Sequence, residues 1–427
     1  MSLTIGSGNP RKKYIALRGR AYYNKTIRNE KRPRRRERES VMRSFRLTNE
    51  EIQSLAARHQ TPFLVISLAQ VEENYRFFCR HLPRVNVYYA MKANPASRIL
   101  SLLDSLGAGF DTASAGEMET LAAMGVPPVR MIYANPVKTP DGLRTAARLG
   151  VVRMTFDDAD EIEKMVSAVP HAEALVRVRI HNEKALVDLN AKFGVNQEEA
   201  LPLLRRVRDA GLTPKGVCFH VGSQALSTEA YEEALLFCRR IFDEAEAEGM
   251  KLSMLDIGGG FPIPLAGRET PDAEQIMQRI SRQLDRLFPE TEIWAEPGRF
   301  LCGTAVNLVT SVIGVKKRGE ESWYTIDEGV YGTLSGAIYD HWTYSFEAVR
   351  SGEAKPSTVL GPSCDSIDFV GRGVMLPELK TGDLVLVPDC GAYTSASATT
   401  FNGFARAKAF YFEDVAADLA SRREMIA

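Results

Sequence analysis

From Thr61 to Glu296 short apolar runs alternate with longer stretches in which apolar residues recur every three to four positions, the signature of strands alternating with helices. The runs 85–92, 109–114, 131–135, 153–157, 174–180, 216–221, 254–257 and 293–296 read as strands. Between them 97–106, 116–124, 140–149, 199–210 and 229–248 carry helical spacing. The strands are short and largely apolar, as expected when a parallel sheet is covered on both faces. Eight β/α units over about 220 residues predict an α/β fold, a TIM (β/α)8 barrel of about 70–300, with an open doubly wound sheet as the alternative. The barrel is favoured because nearly every reactive residue closes a strand. After Pro297 the pattern changes to short runs at 306–315, 323–326, 357–360, 384–387 and 405–412, closely punctuated by Gly and Pro. These predict a β domain built from 44–69 and 301–427, with 62–67 as an additional strand.

Composition adds a third segment. The 427 residues are 44% hydrophobic and 25% charged, ample for a large core, and the formal net charge is zero. That balance conceals an asymmetry: 15 basic and 3 acidic residues precede Leu47, leaving 39 basic against 51 acidic in the remainder. Residues 1–43 are too rich in like charge to pack and are expected to be a disordered tail. An arm for nucleic acid, an organelle presequence and translated sequence upstream of a start at Met42 are the other readings of it. For the chain as a whole nucleic acid is not an expected partner. No apolar run reaches the roughly 20 residues needed to span a bilayer and no secretory signal opens the chain, so a cytoplasmic protein is expected. Six cysteines without a CxxC pair predict reduced thiols and no metal site.

Chemistry concentrates at the strand ends. Lys92 closes the first barrel strand, where desolvation would lower its pKa and make it a nucleophile toward a carbonyl; a structural ion pair is the plainer reading. Gly258, Gly259 and Gly260 follow the seventh strand, either as a tight turn or as a cradle of backbone N–H groups for an anion. Glu296, Gly298 and Arg299 follow the eighth, and barrel phosphate sites commonly sit after strands seven and eight. Glu296 could pair with the ring nitrogen of a cofactor. His220 could stack on such a ring with Ser223 on its phosphate, although a histidine there is more often simply packed. Cys364 beside Asp365, and the aromatic, glycine-rich segments around Tyr393 and Phe401, carry little meaning alone.

Together six segments resemble the fold type III pyridoxal-phosphate (PLP) dependent decarboxylases, the group of ornithine and diaminopimelate decarboxylases. They are Tyr89-Ala90-Met91-Lys92-Ala93-Asn94, Gly109-Phe110-Asp111-Thr112-Ala113-Ser114, His220-Val221-Gly222-Ser223, Asp256-Ile257-Gly258-Gly259-Gly260-Phe261-Pro262, Glu296-Pro297-Gly298-Arg299 and Gly361-Pro362-Ser363-Cys364-Asp365, in the family's order. The resemblance implies that Lys92 carries PLP as a Schiff base, Glu296 pairs with the pyridine nitrogen and His220 stacks on the ring. Asp111, Arg179 and Glu117 match positions around the cofactor. Ser223, the Gly258 to Gly260 loop, Gly298, Arg299 and Tyr393 match the phosphate site. It further implies a head-to-tail homodimer in which Cys364, the acid that protonates the α-carbon, and Asp365 come from the partner, with Lys192 at the interface.

The substrate is then a basic amino acid. Asp340, in Tyr339-Asp340-His341, and Asp365 match the two acids that hold the second cation of ornithine, with Tyr339 and Phe401 beside them. Ornithine to putrescine is the leading expectation, with lysine or an N-substituted ornithine as alternatives, since one methylene changes binding by only about 1–3 kcal/mol. An alanine-racemase-like activity is disfavoured by Cys364-Asp365. A non-catalytic decoy like the antizyme inhibitors is disfavoured because Lys92, Glu296, Arg299 and Cys364 all remain.

Overall fold

The computed structural model describes residues 42–180, 182, 185, 192–265 and 270–416. The basic tail expected over 1–43 lies outside these residues except for its last two. Helix α1 (Asn49–Ala56) opens on a capping box in which Thr48 and Glu51 satisfy each other's backbone N–H groups. Strand β1 (Phe63–Ile66) and helix α2 (Leu68–His81) lead into the barrel.

The barrel is closed by eight parallel strands, β2 (Val85–Ala90), β3 (Gly109–Thr112), β4 (Met131–Tyr133), β5 (Arg153–Phe156), β6 (Glu173–Val178), β7 (Thr213–Phe219), β8 (Met254–Asp256) and β9 (Glu292–Ala295), with β9 returning to β2. Between them run α3 (Ser97–Ser105), α4 (Ala115–Ala123), α5 (Pro140–Leu149), α6 (Ala159–Ala168), α7 (Gln197–Asp209), α8 (Glu229–Ala247) and α9 (Ala273–Leu287). Alternation along each strand sorts the side chains: Val87 and Tyr89 join the layer under the helices, while Tyr88 belongs to a separate cluster with Ile132, Leu175, Met254 and Trp294 that fills the barrel. Tyr88 and Trp294 stack there with centroids 3.6 Å apart.

All eight predicted strands are present, and each stops one or two residues before its predicted end. The residues beyond the last rung, Lys92 and Glu296 among them, continue the apolar-to-polar texture of the strand but have already turned into the loops at the barrel's C-terminal mouth. After β9 come the short helix α10 (Arg299–Cys302) and the long strand β10 (Val306–Arg318), followed by β11 (Glu321–Ile326), helix α11 (Gly336–Tyr339), β12 (Glu347–Ala348), β13 (Lys355–Leu360), β14 (Phe369–Leu376), β15 (Leu384–Val387) and β16 (Lys408–Tyr411). They form one sheet in the order β12-β15-β10-β11-β13-β14. β1 pairs antiparallel with β10 and parallel with β16, so the segment preceding the barrel is a strand of this sheet. The sheet is tied to the barrel at the turn that carries Lys92: Tyr393 N donates to Ala93 O at 2.9 Å and Asn94 Nδ2 to Gly391 O at 2.9 Å. Among the described residues no helix is long and apolar enough to cross a membrane.

Candidate active site

A cavity of about 370 Å³ opens at the C-terminal ends of the barrel strands, walled by Lys92, Asp111, Arg177, His220, Glu296 and Arg299, with Ser223, Gly260, Gly298, Asp340 and Tyr393 completing it. Lys92 sits in a single 3-10 turn, Met91–Ala93, just past β2. In the adjoining strand Asp111 is paired in register with Ala90, and its Oδ2 accepts from the Lys92 ammonium. Although 48% of the Lys92 side chain is accessible, the accessible part faces the cavity. Burial pulls its pKa down, as expected from the sequence, but Asp111, Tyr393 and Glu296 outweigh burial and leave it above the ordinary lysine value. The expectation of a depressed pKa is therefore corrected: before any cofactor engages it, Lys92 is a cation in an acidic setting.

That acidity is concentrated. Glu296, just past β9, has its pKa pushed well up by burial and by the neighbouring Asp256 and Asp111 carboxylates. Asp256, the last residue of β8, is pushed up to about 6, chiefly by burial. Its Oδ1 accepts from Gly258 N at 2.8 Å, whereas its Oδ2 and Asp111 Oδ1 are buried without a hydrogen-bond partner among the described residues. Two unsatisfied buried carboxylate oxygens, one on the cavity-lining Asp111 and one on Asp256 behind it, are costly unless a proton or a donor meets them.

Arg177 lies on the same floor, in register with Cys218 of β7, which is in register with Asp256 of β8. Arg179, the arginine chosen from sequence, is exposed beyond the end of β6, where its backbone N–H bonds Val195 O at 2.8 Å, and it does not line the cavity. Arg177 and Arg179 share a face by strand alternation, but β6 ends at Val178, so only Arg177 is held by the sheet and Arg179 has passed into the loop. The predicted run 174–180 contained both arginines, so the sequence did not separate them; the end of β6 at Val178 does.

His220 follows β7 and accepts at Nδ1 from Gly222 N at 3.0 Å. Burial, then Arg177 and Lys92, push its pKa down to about 3, so its ring is neutral. Of the three consecutive glycines only Gly260 reaches the cavity wall; Gly259 backs His220 and Gly258 hydrogen-bonds Asp256. At Gly260 φ is +98° and a Cβ would lie 2.3 Å from Gly222 O, so no other residue fits. A Cβ on Gly298 would meet Ala93 Cβ at 2.9 Å. Arg299, the first residue of α10, is ion-paired with Asp340.

Several predicted residues are not brought to this cavity. Cys364 is exposed, its backbone N–H donating to Asn402 Oδ1 at 3.2 Å. Asp365 accepts from the Tyr331 hydroxyl, and Tyr331 stacks on Phe401 with centroids 4.0 Å apart. Tyr339 is 67% exposed. Glu117 accepts from Ala113 N at 2.6 Å, behind the wall, and Lys192 lies against Phe193, which does line the cavity. Asp256, Tyr331 and Trp342 were not singled out from sequence; each gains its meaning from a tertiary contact.

PLP needs an amine for its aldehyde, an acid for its ring nitrogen, a flat neighbour and an anion cradle. The cavity supplies Lys92, a buried acidic cluster with unpartnered oxygens, the neutral His220, and Arg299 beside two glycine turns that a Cβ would fill. The residues fit the cofactor.

Comparison with known proteins agrees. The pyridoxal-binding domain of the pyridoxal-dependent decarboxylases matches residues 68–303. A lysine/ornithine decarboxylase of Selenomonas ruminantium is 61% identical over 373 residues, covering 87% of this chain and 95% of the relative. The crystal structure of SrLDC in complex with PLP and cadaverine superposes with a TM-score of 0.85 at 57% identity, over 90% of this chain and 98% of that one. A Vibrio vulnificus lysine/ornithine decarboxylase complexed with putrescine gives a TM-score of 0.80 at 35% identity, over 86% and 99%.

Proposed function

We propose that this chain, which belongs to the pyridoxal-dependent decarboxylases and is a PLP enzyme acting on basic amino acids, removes the α-carboxylate of both lysine and ornithine. The observation carrying this reading is a cavity with an amine at one end and Asp340 at its rim, in a chain so similar to the Selenomonas lysine/ornithine enzyme. One methylene separates the two substrates and is worth about 1–3 kcal/mol in a pocket, so a site reading only the distal ammonium admits both. The sequence alone favoured ornithine; the relatives named for both substrates favour the broader reading.

Bound in the cavity, PLP supplies an electron-withdrawing ring that accepts the electron pair left on the α-carbon when CO₂ departs. Lys92 would hold the aldehyde, and Asp111 is placed to take the ammonium proton that must leave first. Glu296 would hold the ring nitrogen, His220 the ring face, and Ser223, Gly260, Gly298, Arg299 and Tyr393 the phosphate. One Asp340 oxygen engages Arg299, leaving the other for the distal ammonium. A product assay over lysine, ornithine, arginine and diaminopimelate tests the reading. Cadaverine and putrescine are both expected, at kcat/KM values that differ by no more than about 200-fold; turnover of diaminopimelate alone would refute it.

The site is completed, on this reading, across a homodimer. Cys364 is exposed beside Asn402 and Asp365 is part-buried beside Tyr331, and neither lines its own chain's cavity, as expected of residues donated to a partner. Co-expressing Lys92→Ala and Cys364→Ala chains therefore restores amine formation that neither homodimer supports. Half of randomly paired dimers are mixed and one of their two sites is intact, so recovery to about a quarter of wild type is expected. No recovery, with mixed dimers verified by tag pull-down, would place both residues in one chain's site.

A further inference from the structure

Arg299 is held by an arrangement that its role in the proposed phosphate site does not by itself require. Its side chain is 6% exposed and its Nε has no hydrogen-bond partner among the described residues. What meets the guanidinium instead is the Asp340 carboxylate, the Trp342 ring at 4.4 Å and the Tyr393 ring at 5.0 Å. Asp340 and Trp342 arrive together. Helix α11 ends with both of their backbone N–H groups on Gly336 O, at 3.0 and 2.9 Å, and the chain reverses at the intervening His341 in the left-handed region, φ 50°. That conformation is uncommon outside glycine, and here it sets a carboxylate and an indole on one cation. Trp342 is only 5% exposed and does not line the cavity, so it acts on the site through Arg299 or not at all.

We infer that Trp342 is a positioning residue for the cofactor's phosphate, fixing the plane of the Arg299 guanidinium so that its free N–H edge is presented before the phosphate arrives. A guanidinium stacks favourably on an aromatic face, indole best of all. A side chain so ordered gives up less rotamer freedom when its ligand binds. In Trp342→Leu, only Asp340 and the more distant Tyr393 ring restrain the cation, and the arginine must be ordered further at the expense of phosphate affinity.

The inference rests on the reading that Arg299 contacts the phosphate, and the experiment separates the two. Dissociation constants of cofactor-free protein are measured by absorbance for PLP and for pyridoxal, which carries the same aldehyde without the phosphate. Trp342→Leu is expected to weaken PLP about tenfold and pyridoxal less than about twofold, and Trp342→Phe to weaken PLP alone by about two- to threefold. Arg299→Met is expected to lose more, again for PLP only. If both Trp342 variants weaken the two ligands equally, or neither, Trp342 is only core and the inference fails. If Trp342→Leu does not fold, the Phe variant decides on the same criterion. If Arg299→Met shows no PLP-selective loss, it is the phosphate assignment that fails.

Discussion

Replacing Lys92 with alanine is expected to lower kcat by about a thousandfold or more and to remove the visible absorbance of lysine-bound PLP, the scale reached when a covalent catalytic group is deleted. The expectation is strong because Lys92 is the single lysine among the described residues lining the cavity. Its surroundings sharpen the experiment. Asp111, Tyr393 and Glu296 hold the amine as a cation, so Lys92→Ala removes a charge as well as a nucleophile and leaves Asp111 facing its neighbours uncompensated. Lys92→Arg separates the two effects, since arginine keeps the cation for Asp111 but cannot form the bond to the aldehyde. Loss of turnover in both variants, with the arginine protein unfolding at the higher temperature, is the expected pair of results. Substantial kcat in Lys92→Arg would show that Lys92 serves only as a counter-ion.

Lys92 was legible because a charge closing an apolar run is conspicuous, and so was Glu296. The barrel was legible for a related reason: strands buried on both faces read as continuous apolar runs, and eight of them have few alternatives. What escaped is what tertiary contact creates. Strand β14 was missed because its middle, Gly371-Arg372-Gly373, breaks any alternation, and it is a strand only by pairing with β13. Helix α1 was missed despite its Thr48/Glu51 box, a local signal overlooked next to the basic tail. Asp256 stood inside one of the quoted motifs yet reads as ordinary strand until β8 and β9 put it beside Glu296. The grip on Arg299 joins residues 41 and 43 positions apart through a left-handed turn at His341, which no periodicity announces. The lysine pKa was anticipated with the wrong sign because burial is local and readable, whereas the two carboxyl groups and the tyrosine that overrule it come from other strands and loops.

The same acidic cluster yields opposite effects on catalysis and stability at Glu296. Glu296→Gln keeps the side chain's shape and removes its charge, and is expected to lower kcat about a hundredfold, the loss typical of deleting one preorganised electrostatic partner. Without PLP the change should instead stabilise the protein. Burial, Asp256 and Asp111 raise the folded-state pKa of Glu296 well above its unfolded value. Between those two values the folded chain binds the proton more tightly than the unfolded chain does, so stability falls as pH rises through that window and the penalty persists at neutral pH. Glutamine escapes this penalty, and its amide can donate to the unpartnered Asp256 Oδ2. At pH 7.5 the cofactor-free variant should melt roughly 1–3 °C above the cofactor-free parent, and the gap should close near pH 4, where the glutamate is protonated in both states. A variant that loses Tm at pH 7.5, or keeps its kcat, would mean that Glu296 is an ordinary structural acid; a gain in one with a loss in the other is the mark of an acid kept for its ligand rather than for the fold.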